Sequence, residues 1–183
     1  IAGLSMDDKR ITVDELHRQQ EANWPEMYAA AKPAVLRILR ASDVFTNQTT
    51  LKLKNHTLSR AEFDALATLR RQAAPHRITP TELCKALLIS SGGLTKLLYR
   101  LESAELIKRP ASPEDGRSLL VQLSPKGKKL IEGLVATIGQ LHTDRLRNLT
   151  ATEQAQLDHL LRKMLQVNEG EALTREDHLE GPT

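Results

Sequence analysis

The sequence contains a single cysteine, few aromatic residues and no long apolar run. With Cys84 alone, no disulfide can form within the chain and a cysteine-rich zinc site is excluded. Aromatic residues make up 3% of the chain, so aliphatic side chains must fill the core. No apolar stretch approaches the ~20 residues that a membrane-spanning helix needs, and the first ten residues lack the apolar segment of a signal peptide. These absences predict a cytoplasmic protein without a membrane partner.

Sequence motifs of catalysis and metal binding are also missing. No phosphate-binding loop, nucleophile signature or metal motif appears. The histidines are scattered and include no i, i+4 pair; they are His17, His56, His76, His142, His159 and His178. We therefore expect no metal site, no cofactor and no enzymatic activity.

Charge is distributed unevenly along the chain, although the formal net charge is only +3. Residues 55–130 carry 13 basic and 7 acidic side chains, a net charge of +6, whereas residues 131–183 carry 5 and 9, a net charge of −4. Residues 1–54 are nearly balanced at +1. A basic centre favours binding of a polyanion such as nucleic acid, although a merely solvated basic surface would look the same.

Helix starts are marked by four S/T-x-x-E capping boxes, which begin at Thr12, Ser59, Thr79 and Thr150. Together with apolar spacing they predict helices over 13–23, 33–54, 60–72, 80–86, from residue 90, from residue 125, and over 151–168. Residues 169–183 are acidic and poor in apolar side chains, which predicts a flexible tail.

The segment 90–124 changes from helical to extended periodicity. Four leucines recur at the i, i+3, i+4, i+7 spacing of one helical face: Leu94, Leu97, Leu98 and Leu101. A brief strand over 106–109, a turn rich in Pro, Ser, Asp and Gly, and an alternating strand over 119–123 follow. Two short helices, a tight turn between them and a β-hairpin predict a mainly α fold containing a winged helix-turn-helix lobe, with the remaining helices in a second lobe.

The outward side of the helix that begins at residue 90 carries groups that suit DNA. A major groove about 12 Å wide admits one α-helix, and a helix N-terminus attracts phosphate. A basic side chain at a hairpin tip can enter the minor groove. The predicted DNA-contacting residues are Ser90, Ser91, Thr95, Lys96, Tyr99, Arg100, Arg109, Asp115 and Arg117, with Asp115 holding the tip or a guanidinium in place. The alternative is an ordinary amphipathic surface helix followed by a solvated turn.

Three stretches carry a family resemblance: LSRAEFDALATLRR, ITPTELCKALLISSGGLTKLLYRLESAELIKR and SPEDGRSLLVQLSPKGKKL. Over about residues 58–165 the chain resembles the MarR family of transcriptional regulators. Its most specific features are a recognition helix that closes on R-L-E, the D-x-R wing of Asp115 and Arg117, and an L-S/T-x-x-G helix start. The resemblance implies a homodimer whose two winged lobes read a palindromic double-stranded DNA operator. One departure is Glu105, because members of the family usually have glycine at this helix end.

A second resemblance concerns a ligand site. The stretch EFDALATLRR and Trp24 are similar to the urate-responsive branch of the family, in which the residues matching Trp24 and Asp64 act with an arginine on the recognition helix. This chain has Leu97 at the matching position, which removes the counter-charge for an anion such as urate. Small aromatic acids are frequent effectors in the family, and Trp24, Asp64 and either Arg37 or Arg40 would line such a site here. Alternatively, Trp24 and Asp64 are packing and capping residues.

These observations predict a sequence-specific DNA-binding transcriptional regulator, a repressor that a small effector releases from DNA. The expected organisation is N-terminal dimerisation helices (1–57), a DNA-binding lobe (58–124), C-terminal dimerisation helices (125–168) and the tail (169–183). A winged-helix module that binds proteins and not DNA is the competing interpretation.

Overall fold

The computed structural model describes residues 11–113 and 119–176, except the side chains of 167–176. This part of the chain is mainly α-helical with a small antiparallel sheet, which confirms the predicted fold class. In chain order the elements are α1 (Val13–Asn23), α2 (Pro25–Ala30), α3 (Pro33–Lys54), α4 (Arg60–Arg71), β1 (Arg77–Ile78), α5 (Pro80–Leu87), α6 (Ser91–Ser103), β2 (Ile107–Lys108), β3 (Val121–Leu123), α7 (Pro125–Leu146) and α8 (Ala151–Glu176). No helix in these ranges is both long and apolar enough to cross a membrane.

Three of the four predicted capping boxes are complete. At Ser59, Thr79 and Thr150 the side-chain hydroxyl accepts from the backbone N–H three residues on, and the glutamate there accepts from the capping residue's own N–H. At Thr12 the hydroxyl accepts from the N–H of Glu15, whose carboxylate instead bonds side chains further along α1. The capping signals therefore fix where these helices begin.

The sheet has three strands in the order β1-β3-β2, and all pairs are antiparallel. The β2–β3 hairpin agrees with the prediction, and an isolated bridge between Ala111 and Leu119 extends it toward its tip. Strand β1 was not predicted, because two residues are too few to show an alternating pattern. Val121 and Leu123 of the central strand are buried, so β3 contributes directly to the core.

The core of the first part of the chain consists almost entirely of leucine. The largest fully buried side chains are Leu53, Leu66, Leu69, Leu83, Leu97, Leu101, Val121 and Leu134. They join α3, α4, α5, α6, the sheet and the start of α7 in one cluster. Aliphatic side chains thus fill the core in place of aromatic ones, as the composition predicts.

The helix end at Glu105 keeps the left-handed conformation that glycine usually supplies. Glu105 has φ 61°, and the amides of Glu105 and Leu106 donate to the carbonyls of Glu102 and Leu101 at 2.8 and 2.9 Å. This pair of backbone hydrogen bonds is the Schellman motif. The departure from the family pattern therefore changes the residue and leaves the turn intact, while the Glu105 carboxylate bonds Lys126 at 2.9 Å.

The chain divides into two compact units, with the division between Leu134 and Val135 inside α7. In the second unit Gln154 closes the connection between α7 and α8, because its amide donates to the carbonyls of Leu146 and Leu149. None of the described side chains of α8 is buried.

Helix α8 continues to Glu176, so the prediction that it ends at Asn168 is wrong. The segment 169–176 is poor in apolar side chains, but it contains Glu, Ala, Leu and Arg, which favour helix without any burial. The flexible tail over 169–183 stays a prediction, and residues 177–183 lie outside the described part.

Candidate nucleic-acid interface

Helix α6 has one buried and one exposed side, as its sequence pattern predicts. Leu94, Leu97, Leu98 and Leu101 are 1–5% exposed. The predicted outward residues are all exposed: Ser91, Thr95, Lys96, Tyr99 and Arg100. The helix begins where the Ser90 hydroxyl accepts from the N–H of Gly93 at 3.3 Å. The exposed side thus presents two hydroxyls, a phenol and two cations along one helix.

A tight turn fixes α6 against α5. Leu88 adopts the left-handed conformation, with φ 52° and ψ 42°, and its N–H donates to the carbonyls of Cys84 and Lys85. The Cys84 thiol donates to the carbonyl of Ile89 at 2.8 Å. These bonds complete a helix-turn-helix whose second helix is α6.

Arg100 is held by a carboxylate that the sequence did not identify. Its Nε donates to Oε1 of Glu62 on α4 at 2.9 Å, while the other carboxylate oxygen of Glu62 accepts from the Ser59 N–H and hydroxyl at 2.8 and 2.7 Å. Burial raises the pKa of Glu62, but the bonds from Ser59 and the bond and charge of Arg100 lower it more, so this pKa lies below the usual 4.5.

The ion pair orients Arg100 and leaves its terminal nitrogens available. The Glu62 side chain is 13% exposed and the Arg100 side chain 53%. The only sequence signal for Glu62 was its place in a capping box, which gives no hint of a partner on α6.

Gly92 and Thr95 shape the first turns of α6. No atom lies within 4 Å of the position that a Gly92 β-carbon would occupy, so the helix surface is open there. The Thr95 hydroxyl donates to the carbonyl of Ser91 at 3.1 Å, and one of its lone pairs stays available to an incoming donor. A polyanion can therefore approach the backbone of this turn closely.

The hairpin is described at its base only. Lys108 is exposed and Arg109 is half-buried, and among the described residues the buried Nε of Arg109 has no hydrogen-bond partner. Asp115 and Arg117 lie outside the described residues. Their predicted roles at the tip therefore stay predictions.

The charged members of the predicted ligand set each have a protein partner. Arg37 forms an ion pair with Asp14, and Arg40 donates to the carbonyl of Ile11 at 3.0 Å. Asp64 accepts from the Nε of Arg60 at 2.7 and 2.9 Å.

Trp24 and Leu97 are the two uncharged positions that were compared with the urate-responsive branch, and they differ in exposure. The Trp24 side chain is 58% exposed between α1 and α2, whereas Leu97 is 2% exposed. Leu97 is thus a core residue and contributes no group to a site. No cluster of three metal-ligating side chains occurs among the described residues.

The geometry defines a winged helix-turn-helix protein, and comparison with known proteins narrows this class. The model of the MarR family matches residues 56–118. Multiple antibiotic resistance protein MarR of Escherichia coli is 38% identical over 125 residues, covering 65% of this chain and 85% of the relative. The HTH-type transcriptional regulator PecS of Dickeya dadantii is 30% identical over 151 residues, covering 82% and 91%.

Solved structures agree with these relatives. A crystal structure of a mutant E. coli MarR complexed with operator DNA has a TM-score of 0.65 and 31% identity, covering 80% of this chain and 97% of that one. Bordetella bronchiseptica BpsR, whose DNA binding is regulated by 6-hydroxynicotinic acid, gives 0.63 and 26%, covering 73% and 98%. The chain belongs to the MarR family of transcriptional regulators, and it is a DNA-binding regulator.

Proposed function

We propose that this chain is a homodimeric repressor that reads a palindromic operator, with α6 in the major groove and the β2–β3 hairpin along the adjacent backbone. The observation that carries the proposal is the outward side of α6, where hydroxyl, phenol and cationic groups stand opposite four buried leucines. Such groups bond base acceptors and phosphates. The proposed role of the chain is DNA binding and not catalysis, which agrees with relatives that are named as transcriptional regulators.

Each part of the interface has a proposed task. Lys96 is free to reach base edges, and Arg100, oriented by Glu62, presents its terminal nitrogens to a base or a phosphate. Ser90 and Ser91 lie at the helix N-terminus, where backbone N–H groups favour a phosphate. Arg109 at the hairpin base and Arg117 at its tip would contact the backbone or minor groove.

A second copy of the chain is the proposed cover for α8. Its exposed apolar side chains recur at helical spacing; they are Leu157, Leu160, Met164 and Leu165, which are 37–62% exposed. A helix of 26 residues with no buried described side chain gains little from its own chain, so it needs a partner to bury this stripe. We assign 1–57 and 125–168 to the dimerisation lobe and 58–124 to the DNA-binding lobe.

The proposed effector is a small aromatic acid. BpsR, a similar protein, responds to 6-hydroxynicotinic acid. In this chain the exposed Trp24 ring offers an aromatic face, and Arg37 or Arg40 offers the positive charge. A ligand carboxylate would have to displace Asp14 from Arg37 or the Ile11 carbonyl from Arg40. Asp64, paired with Arg60, would contribute at most an acceptor to the ligand.

The salt dependence of duplex binding tests the proposal. Duplexes selected from a random pool by the wild-type protein are titrated by fluorescence anisotropy, and log affinity should fall linearly with log salt with a slope of about −0.9 for each phosphate neutralised. Arg117→Ala should weaken binding to most sequences and reduce the slope by about 1 for each wing in contact. Adding 6-hydroxynicotinic acid to the same titration tests the effector.

Arg162→Ala is the matched control, because Arg162 is an exposed arginine on α8 that pairs with Asp158. It should leave affinity and slope unchanged. Failure to select any duplex, or a flat response to salt, would instead favour a module that binds proteins. Unchanged affinity of Arg117→Ala at physiological salt would remove the wing from the interface.

A further inference from the structure

Leu88 is the most exposed large apolar side chain in the described ranges. It is 93% exposed, whereas the next most exposed, Tyr99, is 73% exposed. The adjacent Leu87 and Ile89 are both half-buried against the core. The turn thus directs Leu88 wholly into solvent, between a leucine and an isoleucine that pack inward.

The backbone of Leu88 makes the choice of leucine costly as well. Its φ of 52° lies in the left-handed region that glycine and asparagine enter easily and that other residues disfavour. The bonds from its N–H to the carbonyls of Cys84 and Lys85 belong to the backbone, and any residue could make them. Folding of the chain therefore gives no reason for an apolar side chain at this position.

The position of Leu88 does supply a reason. It stands two residues before Ser90, the N-cap of α6, and the N-terminal residues of a recognition helix are those that reach base edges. Around it, Ser90 and Ser91 offer hydroxyls and Gly92 leaves open space. Among the described residues at this end of the helix, Leu88 is the one large apolar side chain that is fully exposed. The thymine C5-methyl is the apolar group exposed in the major groove.

We propose that Leu88 packs against the C5-methyl of a thymine in each half-site and is a specificity-determining residue of the protein. The inference rests on the proposed binding of operator DNA by α6. It predicts that one T·A pair per half-site is read through its methyl group and not through hydrogen bonds.

Replacing thymine by deoxyuridine tests this directly, because only the methyl group is lost. Each thymine of the selected duplex is replaced in turn, and binding is measured by anisotropy. For the wild-type protein, one position per half-site should weaken binding about fourfold, the value expected for one buried methyl group. Leu88→Gly should bind the all-thymine duplex more weakly and show no penalty for deoxyuridine at that position.

Thr57→Gly is the matched control, because Thr57 is another exposed non-glycine residue at positive φ, 57°, and it lies outside the helix-turn-helix. It should keep the deoxyuridine penalty of the wild type. Both variants should melt at or above the wild-type temperature, since each relieves a positive φ, so lost binding cannot be ascribed to unfolding.

Three results would overturn the inference. The first is a wild-type protein that binds selected duplexes and is indifferent to every thymine methyl. The second is a penalty of the same size in Leu88→Gly, which would assign the methyl contact to another side chain. A wild-type protein that selects no duplex would overturn the proposed function itself, and this result is distinguishable from the other two because no duplex is bound at all.

Discussion

Gly127, the third residue of α7, has no room for a β-carbon. A β-carbon built there would lie 2.1 Å from the carbonyl oxygen of Leu106 and 3.0 Å from Cδ1 of Leu123. The first distance is about 1.3 Å closer than the 3.4 Å at which ordinary contact begins. The obstacle is a backbone oxygen that also accepts from the N–H of Ser124 at 3.1 Å, so it cannot move without breaking that bond.

Gly127→Ala should therefore destabilise the fold severely. Overpacking of a rigid site costs about 1–3 kcal/mol and sometimes more, and a forced backbone shift puts this substitution at the upper end, about 3 kcal/mol. For a chain of this size that corresponds to a fall of roughly 6–12 °C in melting temperature. Ser124 adds to the loss, because its hydroxyl accepts from the Gly127 N–H at 2.9 Å and donates to the Glu105 carbonyl at 2.7 Å.

Gly133→Ala on the same helix is the control. No atom lies within 4 Å of its β-carbon position, and alanine favours helix over glycine by about 0.5–1 kcal/mol. Both variants are measured by urea denaturation at one protein concentration, which matters if the protein is a dimer. Equal midpoints for the two variants would refute the argument that the Leu106 carbonyl, and not general helix propensity, demands glycine at position 127.

Two further substitutions have predictable effects: the first on stability, and the second on stability and duplex affinity in opposite directions. Glu62→Gln should destabilise the protein by about 1–2 kcal/mol at neutral pH, because a mostly buried carboxylate that accepts from Ser59 and Arg100 loses its charge. Since the folded-state pKa of Glu62 is lowered, its stabilisation is present above the unfolded pKa and is lost as the pH falls through the folded value. The gap in urea midpoint between wild type and variant should thus narrow from pH 7 to pH 3, and a constant gap would argue against the ionised carboxylate. Gly92→Ala should stabilise the fold by about 0.5–1 kcal/mol, because its surroundings are open, yet weaken duplex binding in anisotropy titrations if DNA approaches this turn closely; unchanged affinity would contradict that approach.

Local signals allowed most of the helical elements to be predicted. Capping boxes act within one turn, so the starts of α4, α5 and α8 agree with the structure. The start of α3 at Pro33 agrees with the helix predicted over 33–54. The spacing of four leucines determines which side of α6 faces the core, and the exposed set that includes Lys96 and Tyr99 follows from it. A pattern with a period of 3.6 residues needs no tertiary information to be read.

Contacts between distant segments could not be predicted in the same way. Strand β1 exists because Arg77 and Ile78 pair with β3, 43 or more positions further along the chain. Arg100 meets Glu62 across 38 positions, and Arg37 meets Asp14 across 23. A single sequence displays these charges but not their partners, so it does not show that Arg37 and the Nε of Arg100 each bond a carboxylate. The short helix α2 was missed for another reason, since six residues show too little periodicity.

The central position of β3 has a consequence for how a signal could pass through the protein. Strand β1 ends directly before α5 and strand β2 begins shortly after α6, and both pair with β3. The strand before α5 and the strand after α6 therefore both pair with β3, so the helix-turn-helix is attached to one strand at both of its ends. We therefore expect α5 and α6 to move together with the base of the hairpin. In a dimer, an effector that changes affinity for an operator would then act by altering the distance between the two helix-turn-helix segments. The internal geometry of each segment would stay constant.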